Sequence, residues 1–494
     1  MTDATYSSDE HREQLLDQLT QLDSSTRVLI RGATVLTLDP EIGDFDAGDV
    51  LIRGRHIEAV DADLSAAAGD GQAVIIDAKG LILIPGFVDA HRHCWQNQFR
   101  LLIPDADHAT YMATTHGGFA SEYRPEDMYA GDLVTLLGLL DGGVTSVLDF
   151  SHNTRSRAHS DAVFRAYTDS GIRAVHASCA PLAGEWERHW PEDLERLAEE
   201  AAARPLVTLR MGLAEARVRP IEELIRYARK LGIGITIDGV VGQRGAEIEA
   251  LGEEGLLGPD VTVIHCAGIS DACWDAIARS RVRVTLATTS DEQIGLADGV
   301  AGIQKALDRG IRPSLSGDVE ICLAPDMFTQ MRATLLTQRM HETLRRYRGE
   351  IEQTSLLSNR DVLEFATRHG AEAIGLGTVV GSLTAGKEAD IVGIRGNDLN
   401  NLPLNNAVGT VVQGTDRKNI EFVLVGGAVR KWCGELVGQD VDAVRDLVYT
   451  SRDYLASRMG FDFTPTRPLV TKARYEHVTR IYERRGAHYA EPRP

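Results

Sequence analysis

The chain has 494 residues, of which 43% are apolar and 25% are charged, and its formal net charge is -20. This length exceeds one compact core of ordinary size, so we expect one large domain and a smaller one. The acidic balance disfavours nucleic acid and anionic membrane surfaces as partners, and no apolar run reaches the roughly 18 residues that span a bilayer.

The N-terminal segment, residues 1–26, is predicted to be helical. Its first residues, MTDATYSSDEHREQ, are polar and acidic, unlike a secretion signal, and leucines follow at positions 15, 16, 19 and 22 with helical spacing. The six cysteines are scattered without a CxxC pair, which favours reduced thiols. Together these features predict a cytoplasmic protein.

Short strand patterns occur near both ends of the chain. VLIRGATVLTLDP, DVLIRGRHIEAV and AVIIDAKGLILIPG lie in residues 27–84, and GSLTAGKEADIVGI, GTVVQG and IEFVLVGGAVR lie in residues 381–436. We expect these two segments to form one small flanking β-sandwich domain. The remaining residues, 437–494, contain VDAVRDLVYTSRDYLASRMGF at helical spacing and predict a C-terminal helical extension.

Residues 85–380 alternate apolar strand patterns with amphipathic helical ones. Eight such alternations predict an α/β fold, a (β/α)8 TIM barrel. A doubly wound sheet is the rival architecture, but polar, site-like residues at the strand ends favour the barrel. The predicted strands are GFVDAH, TSVLDF (145–150), IRAVHAS (172–178), LVTLRMGL (206–213), IGITID (233–238), VTVIHC (261–266), VRVTLA (282–287) and RPSLSGD (312–318).

The motif PGFVDAHRH at residues 85–93 carries the strongest chemical signal. His91 and His93 are two residues apart, and alternate residues of a strand point to the same side. Two imidazoles that converge on one point are what a metal ion requires of one short segment. The first barrel strand therefore predicts two metal ligands.

Two further residues end predicted barrel strands. Asp318 closes RPSLSGD, where its carboxylate faces the barrel mouth and can bind a metal ion or take a proton from a water molecule. His265 closes VTVIHC, where it can orient a substrate or polarise a water molecule. We predict both as catalytic residues, and Asp318 also as a metal ligand.

PGFVDAHRH, IHCAG, SGD and the C-terminal GSLTAGKEADIVGI together resemble the amidohydrolase superfamily. The similarity is to the branch of cytosine deaminases, S-adenosylhomocysteine deaminases and triazine chlorohydrolases, and it covers about residues 28–435. The resemblance implies a barrel with one divalent ion, zinc or iron, and a flanking β-sandwich. It also implies that His91, His93 and Asp318 bind the metal ion and that His265 contacts the substrate or a water molecule.

The fifth barrel strand departs from the pattern of that branch, which presents HxxE there. In GIGITIDGVVG the position of the histidine holds Asp238 and the position of the glutamate holds Val241. Asp238 can replace the histidine as a ligand, because carboxylate oxygen coordinates zinc at about 2.0–2.2 Å. The alternative is that the metal ion is lost or loosely held.

The glutamate of that motif delivers a proton to the leaving nitrogen, so its loss calls for a substitute. Such a donor is worth about 10²–10⁴ in rate. Four carboxylates that follow predicted barrel strands are the candidates: Glu215, Asp291, Glu292 and Glu320.

Residues close to these positions in the sequence are predicted substrate contacts. Trp95 offers an aromatic wall and Gln96 a hydrogen-bonding amide directly after the two histidines. His116, and His152 in LDFSHN, are further candidates for the barrel mouth.

The leading hypothesis is a metal-dependent hydrolase that acts on a C–N bond, other than a peptide bond, of a small cyclic or amide-like substrate through a metal-activated water. A lyase or metal-poor variant on the same scaffold and a non-catalytic small-molecule binder are the alternatives. A homo-oligomer, either a dimer or a tetramer, is the expected assembly.

Overall fold

The computed structural model describes residues 9–23, 25–67, 73–215, 218–324, 326–353, 355–460, 463 and 465–466. Residues 1–8 and 467–494 of the predicted terminal segments lie outside the described residues. Within the described ranges, no helix combines the length and apolar character needed to cross a membrane.

Eight parallel strands form the central barrel and confirm the predicted (β/α)8 architecture. They pair in chain order, and a parallel bridge between Arg92 and Asp318 joins the first strand to the last segment. The last strand is shorter than predicted, because the chain continues from it as irregular backbone toward the barrel mouth. The barrel strands are β6 Phe87–Arg92, β7 Val144–Ser151, β8 Arg173–Ser178, β9 Val207–Leu213, β10 Gly234–Val240, β11 Val261–His265, β12 Arg283–Leu286 and β13 Ser314–Leu315.

The helices surround the barrel or extend from the two ends of the chain. Barrel strands β6, β7 and β8 are buried along their whole length, as expected when helices cover the outer face of a parallel barrel. The helices are α1 Asp9–Thr20, α2 His108–Thr114, α3 Pro125–Asp141, α4 Arg157–Ser170, α5 Leu194–Ala202, α6 Ile221–Lys230, α7 Gly245–Glu253, α8 Asp271–Arg279, α9 Thr288–Ser290, α10 Ile303–Leu307, α11 Met327–Tyr347, α12 Asn359–Phe365, α13 Arg368–Ala373, α14 Ala407–Gly409 and α15 Val441–Met459.

A second sheet of nine strands joins the two flanks of the chain. Its seam is the antiparallel pair β5–β14, which links the strands before the barrel to those after it. Its strands are β1 Arg27–Val35, β2 Phe45–Arg53, β3 His56–Asp61, β4 Ala73–Asp77, β5 Leu81–Pro85, β14 Ile391–Arg395, β15 Ile420–Val425, β16 Ala428–Trp432 and β17 Glu435–Leu436.

The prediction that GTVVQG forms a strand is wrong. The segment folds as the short helix α14 and a wide helical turn over Thr410–Gly414. The Asn406 side chain accepts a hydrogen bond from the Gly409 amide and begins this helical segment. The two apolar residues that suggested a strand, Val411 and Val412, are instead buried in the main core.

Helix α15 braces the segment that follows the first barrel strand. Its Ser451 hydroxyl donates to Asp127 of α3 at 2.7 Å and accepts from the Gln98 side chain at 3.0 Å. Gln98 belongs to the 3-10 turn Cys94–Phe99, which begins one residue after His93. The C-terminal helix thus packs behind the metal-binding motif predicted from the sequence.

The chain passes from the flanking sheet into the barrel at Gly86, and this junction makes a stability prediction. A Cβ atom at Gly86 would lie 2.1 Å from Thr145 Oγ1 and 2.6 Å from Thr145 Cβ. We therefore expect Gly86→Ala to lower the free energy of unfolding by about 1–3 kcal/mol, measured by urea denaturation.

Gly138→Ala is the matched control. Gly138 lies in the last turn of α3, where alanine is the better helix former, and its Cβ would make an ordinary contact at 3.5 Å with the Arg100 side chain. Equal stability of the Gly86 variant and the wild type would contradict the close packing at the junction.

Candidate metal centre

The predicted metal ligands meet at the carboxyl ends of the barrel strands. His91 lies on β6 and His93 directly after it, Asp238 lies on β10, and Asp318 follows β13. His265 is the last residue of β11. Because parallel strands of a barrel all end at the same rim, residues far apart in sequence converge here.

The donor atoms of these residues are closely spaced. His91 Nε2 lies 3.3 Å from Asp318 Oδ1 and 3.5 Å from Asp238 Oδ1. His93 Nε2 lies 3.4 Å from Asp318 Oδ1 and 3.7 Å from Asp238 Oδ2. The side chains of His91, His93 and Asp318 are at most 6% exposed. His91, His93 and Asp318 form one group of potential metal ligands, and His91, Asp238 and His265 form a second group that shares His91.

Backbone geometry at this rim is unusual for residues with side chains. Asp318 has φ +56° and His265 has φ +75°, both in the left-handed region. Such conformations cost on the order of 1–3 kcal/mol and concentrate at functional sites. Backbone hydrogen bonds hold Asp318 in place, since its amide donates to the His91 carbonyl and its carbonyl accepts from the His93 amide.

A buried arginine supports the histidine motif from behind and was missed by the sequence analysis. Arg92 donates to Asp89 through Nε at 2.8 Å and to Glu320 through Nη1 at 3.3 Å. Glu320 also accepts from Arg100 at 2.5 Å, so this candidate proton donor is engaged in ion pairs. The sequence does contain a signal for this ion pair. Arg92 stands between two inward-facing histidines, so its charged side chain has to find a partner on the opposite face of the strand.

His265 is held between two carboxylates. Its Nδ1 donates to Asp291 Oδ1 at 2.8 Å, and its Nε2 lies 3.3 Å from Asp238 Oδ1. Burial acts to lower the pKa of His265, but Asp238 and Asp291 outweigh burial and raise that pKa well above its usual value. Asp291, a candidate proton donor from the sequence, therefore orients His265. Glu292, another candidate, accepts instead from the Thr337 hydroxyl.

A cavity of about 90 Å³ opens from this centre to solvent. Val241 lines it, at the position where the sequence resemblance implies a glutamate. Glu215, the fourth candidate proton donor, also lines it, but its side chain is 55% exposed and 3.9 Å from Arg244 Nη1.

One wall of the cavity carries two more histidines. His152 Nδ1 donates to the Phe150 carbonyl at 3.0 Å, and its Nε2 faces His116 Nε2 at 3.4 Å. Burial lowers the pKa of His116 to about 3 and that of His152 well below its usual value. Both rings are therefore neutral hydrogen-bonding groups on the cavity wall, where the sequence predicted them.

Trp95 and Gln96 lie one layer behind that wall, which differs from the direct substrate contact predicted for them. Trp95 is fully buried, with its ring centroid 5.8 Å from those of His116 and His152. Gln96 Nε2 donates to the hydroxyl of Tyr111, a residue that does line the cavity. Both side chains follow the turn after His93 into the core, because that turn packs against α3.

Comparison with known proteins identifies the family to which this chain is similar. The model of the amidohydrolase family matches residues 82–430. Among relatives, the 5'-deoxyadenosine deaminase of Methanosarcina acetivorans is 27% identical over 74% of this chain and 83% of its own length. The 5-methylthioadenosine/S-adenosylhomocysteine deaminase of Syntrophobacter fumaroxidans is 24% identical over 86% of this chain and 97% of its own.

Solved structures share the fold. An adenosine deaminase from Xanthomonas campestris with bound zinc aligns with TM-score 0.76 and 19% identity, covering 88% of this chain and all of that one. The atrazine chlorohydrolase of Arthrobacter aurescens complexed with zinc aligns with TM-score 0.73 and 22% identity, covering 86% of this chain and all of that one.

The family match covers more than half of the chain and confirms the resemblance drawn from the sequence motifs. The reaction class is metal-dependent hydrolysis of a C–N bond, and neither a lyase nor a binding-only protein is favoured. The chain belongs to the amidohydrolase family, in its deaminase-like branch.

Proposed function

We propose that this protein deaminates an amino-substituted nitrogen heterocycle, such as the adenine ring of a small nucleoside, with one zinc ion at the barrel mouth. His91, His93, Asp238 and Asp318 hold the ion in this proposal. The deaminases among the relatives and the zinc-containing structural neighbours support it. The single observation that carries it is that both carboxylates lie 3.3 to 3.7 Å from both imidazoles.

The spacing of the donors fits a divalent transition metal. Zinc binds nitrogen and oxygen at about 2.0–2.2 Å, which places the ligands of a tetrahedral site about 3.3–3.6 Å apart. The distances from the two histidines to the two carboxylates run from 3.3 to 3.7 Å. His91 Nε2 and Asp318 Oδ1 are buried without a hydrogen-bond partner, so an ion would satisfy both.

A bound divalent ion supplies Lewis acidity, which makes a water molecule acidic near neutral pH. Asp318 would be the base that accepts the proton of the reacting water. Burial acts to raise the pKa of Asp318, but His91, His265 and His93 hold the pKa of this carboxyl well below its usual range. Asp318 is therefore ionised at neutral pH, which is the form that can accept a proton.

His265 takes the role that the absent glutamate has in related enzymes. Its Nδ1–H is fixed by Asp291, which leaves Nε2 facing the cavity beside Asp238. From this position Nε2 hydrogen-bonds the reacting group and delivers a proton to the leaving nitrogen. Val241 is apolar and offers no proton.

The cytoplasmic location and the homo-oligomeric assembly stay predictions.

The test is product analysis with the substrates that name the relatives. We expect the purified enzyme to release ammonia from 5'-deoxyadenosine, 5-methylthioadenosine or S-adenosylhomocysteine, and to place oxygen from labelled water in the product. Chelation abolishes this activity and added zinc restores it, because the ion activates the water.

Two outcomes contradict the proposal. Ammonia release that survives removal of the metal would exclude the ion from the reaction. If the folded, zinc-loaded enzyme releases no ammonia from any of these nucleosides, they are not its substrates. The substrate assignment then fails, while the reaction class of the family still applies.

A further inference from the structure

Arg244 is a cationic residue on the wall of the cavity at the metal centre. No other arginine or lysine lines this cavity among the described residues. Arg244 is the last residue of the 3-10 turn Gly242–Arg244, which follows barrel strand β10. Its side chain is 20% exposed, so a molecule in the cavity can reach it. The proposed deamination does not use this residue.

Backbone carbonyls fix the direction of the Arg244 side chain. Its Nη1 donates to the Asp238 carbonyl at 2.9 Å and to the Gly239 carbonyl at 2.6 Å. Gly239 has φ +66°, and a Cβ atom at this position would lie 2.5 Å from Nη1. Glycine therefore leaves the space that the guanidinium occupies. Because Nη1 carries two hydrogens, these two bonds use its whole donor capacity and hold the planar group in one orientation.

The other terminal nitrogen of Arg244, Nη2, lacks an acceptor. It is buried and has no hydrogen-bond partner in the part of the chain that the structure describes. The ion pair of Arg244 is with Glu215, whose Oε1 lies 3.9 Å from Nη1, too far for a hydrogen bond. The Glu215 side chain is 55% exposed, so solvent screens this pair. A buried cationic donor without an acceptor is costly, so a ligand that supplies one is expected to bind here.

The charges of the cavity indicate which acceptor the ligand supplies. A charged donor binds an anion more strongly than a neutral group, and a planar carboxylate matches the fork of N–H groups on a guanidinium. A phosphate is bulkier than a carboxylate, and the cavity measures about 90 Å³. Asp238 and Asp318 also line this cavity and repel anions, so an anionic ligand requires the cation that Arg244 provides.

We propose that Arg244 binds a carboxylate that the substrate carries on its reacting ring or one or two bonds from it. The position follows from the contacts of Arg244, because its Nη1 bonds the backbone of Asp238, and Asp238 Oδ1 lies 3.5 Å from His91 Nε2. The anion site therefore adjoins the metal centre. The inference rests on the proposed function for the placement of the ring, and it narrows the substrate class to amino-substituted nitrogen heterocycles with a carboxylate.

The nucleosides that name the relatives do not carry a carboxylate at that place. 5'-Deoxyadenosine and 5-methylthioadenosine have none, and S-adenosylhomocysteine has one at the end of its amino-acid chain, far from the adenine ring. We therefore expect a ring carboxylate to bind better than any of the three.

Binding of two matched ring compounds tests the proposal. Pyrimidine-5-carboxylate and 5-acetylpyrimidine have nearly the same shape but differ in charge, and neither has an amino group that the enzyme can remove. Isothermal titration calorimetry on the zinc-loaded enzyme near neutral pH is expected to show about 10- to 100-fold tighter binding of the carboxylate. Equal affinity of the wild type for the two compounds would overturn the proposal, whatever the variants show.

Variants of Arg244 identify the group that holds the carboxylate. Arg244→Gln removes the charge but keeps an amide that can donate to the backbone, and it should bring the two affinities close together. Arg244→Lys keeps the charge without the fork and should retain part of the preference. Arg226→Gln is the matched control, because Arg226 is exposed on α6 and does not line the cavity. This control should keep the preference of the wild type.

A preference for the carboxylate that persists in Arg244→Gln would show that the zinc ion or another group binds it, and would overturn the proposal. Circular dichroism and zinc content establish that each variant is folded and loaded. Because the readout is binding, an enzyme that releases no ammonia from the nucleosides still tests Arg244. Conversely, equal binding of the two compounds removes the carboxylate from the substrate class and leaves the ammonia test of the proposed function unaffected.

Discussion

Asp318→Asn is expected to lower kcat by about 10²–10⁴-fold, the usual worth of a positioned general base. The amide has nearly the same shape as the carboxylate but cannot accept the proton of the reacting water. It also removes one negative charge from beside His91 and His93, whose Nε2 atoms lie 3.3 and 3.4 Å from Asp318 Oδ1. Steady-state kinetics on enzyme with a measured zinc content would record the loss.

Asp308→Asn is the matched control, because it exchanges the same groups at an exposed position at the end of α10. This variant should keep the kcat of the wild type. If Asp318→Asn, loaded with zinc and correctly folded by circular dichroism, also kept that kcat, Asp318 would not be the base.

Asp238→Ala is expected to weaken zinc binding by at least about 100-fold. Loss of a residue that only hydrogen-bonds a metal ligand already lowers metal affinity by up to about 100-fold, and a direct ligand should matter at least as much. The reason is that Asp238 faces His91, His93 and His265 at 3.3 to 3.7 Å and completes the donor set. Titration against a chromophoric chelator measures the affinity. Asp238→His should retain the ion, because imidazole replaces one zinc ligand by another.

Glu215→Ala controls for the general effect of removing a carboxylate from the cavity, since Glu215 lines the cavity and is largely exposed. Its zinc affinity should remain near that of the wild type. Zinc binding by Asp238→Ala as tight as that of the wild type would remove Asp238 from the ligand set and leave the ion with His91, His93 and Asp318.

Much of the architecture follows from local patterns in the sequence. Seven of the eight barrel strands were predicted to within two residues of their observed ends, because each is a short, largely apolar run bounded by helical periodicity, whereas β13 covers only Ser314–Leu315 of the predicted 312–318. The convergence of His91 and His93 likewise needs only the two-residue repeat of a strand. The same reasoning gave a wrong prediction for Thr410–Gly414, because two adjacent valines are compatible with a buried helical turn as well as with a strand.

The sequence by itself determined the barrel, its flanking β-sheet and which residue types stand at the strand ends. Only the tertiary structure decided how those residues combine: that Asp291 holds His265, that Trp95 lies behind the cavity wall, and that Glu320 pairs with Arg92. The physical reason is that side-chain direction along one strand is a local property with a fixed period. Contacts between strands depend on how the whole barrel closes, as in the bridge from Arg92 to Asp318.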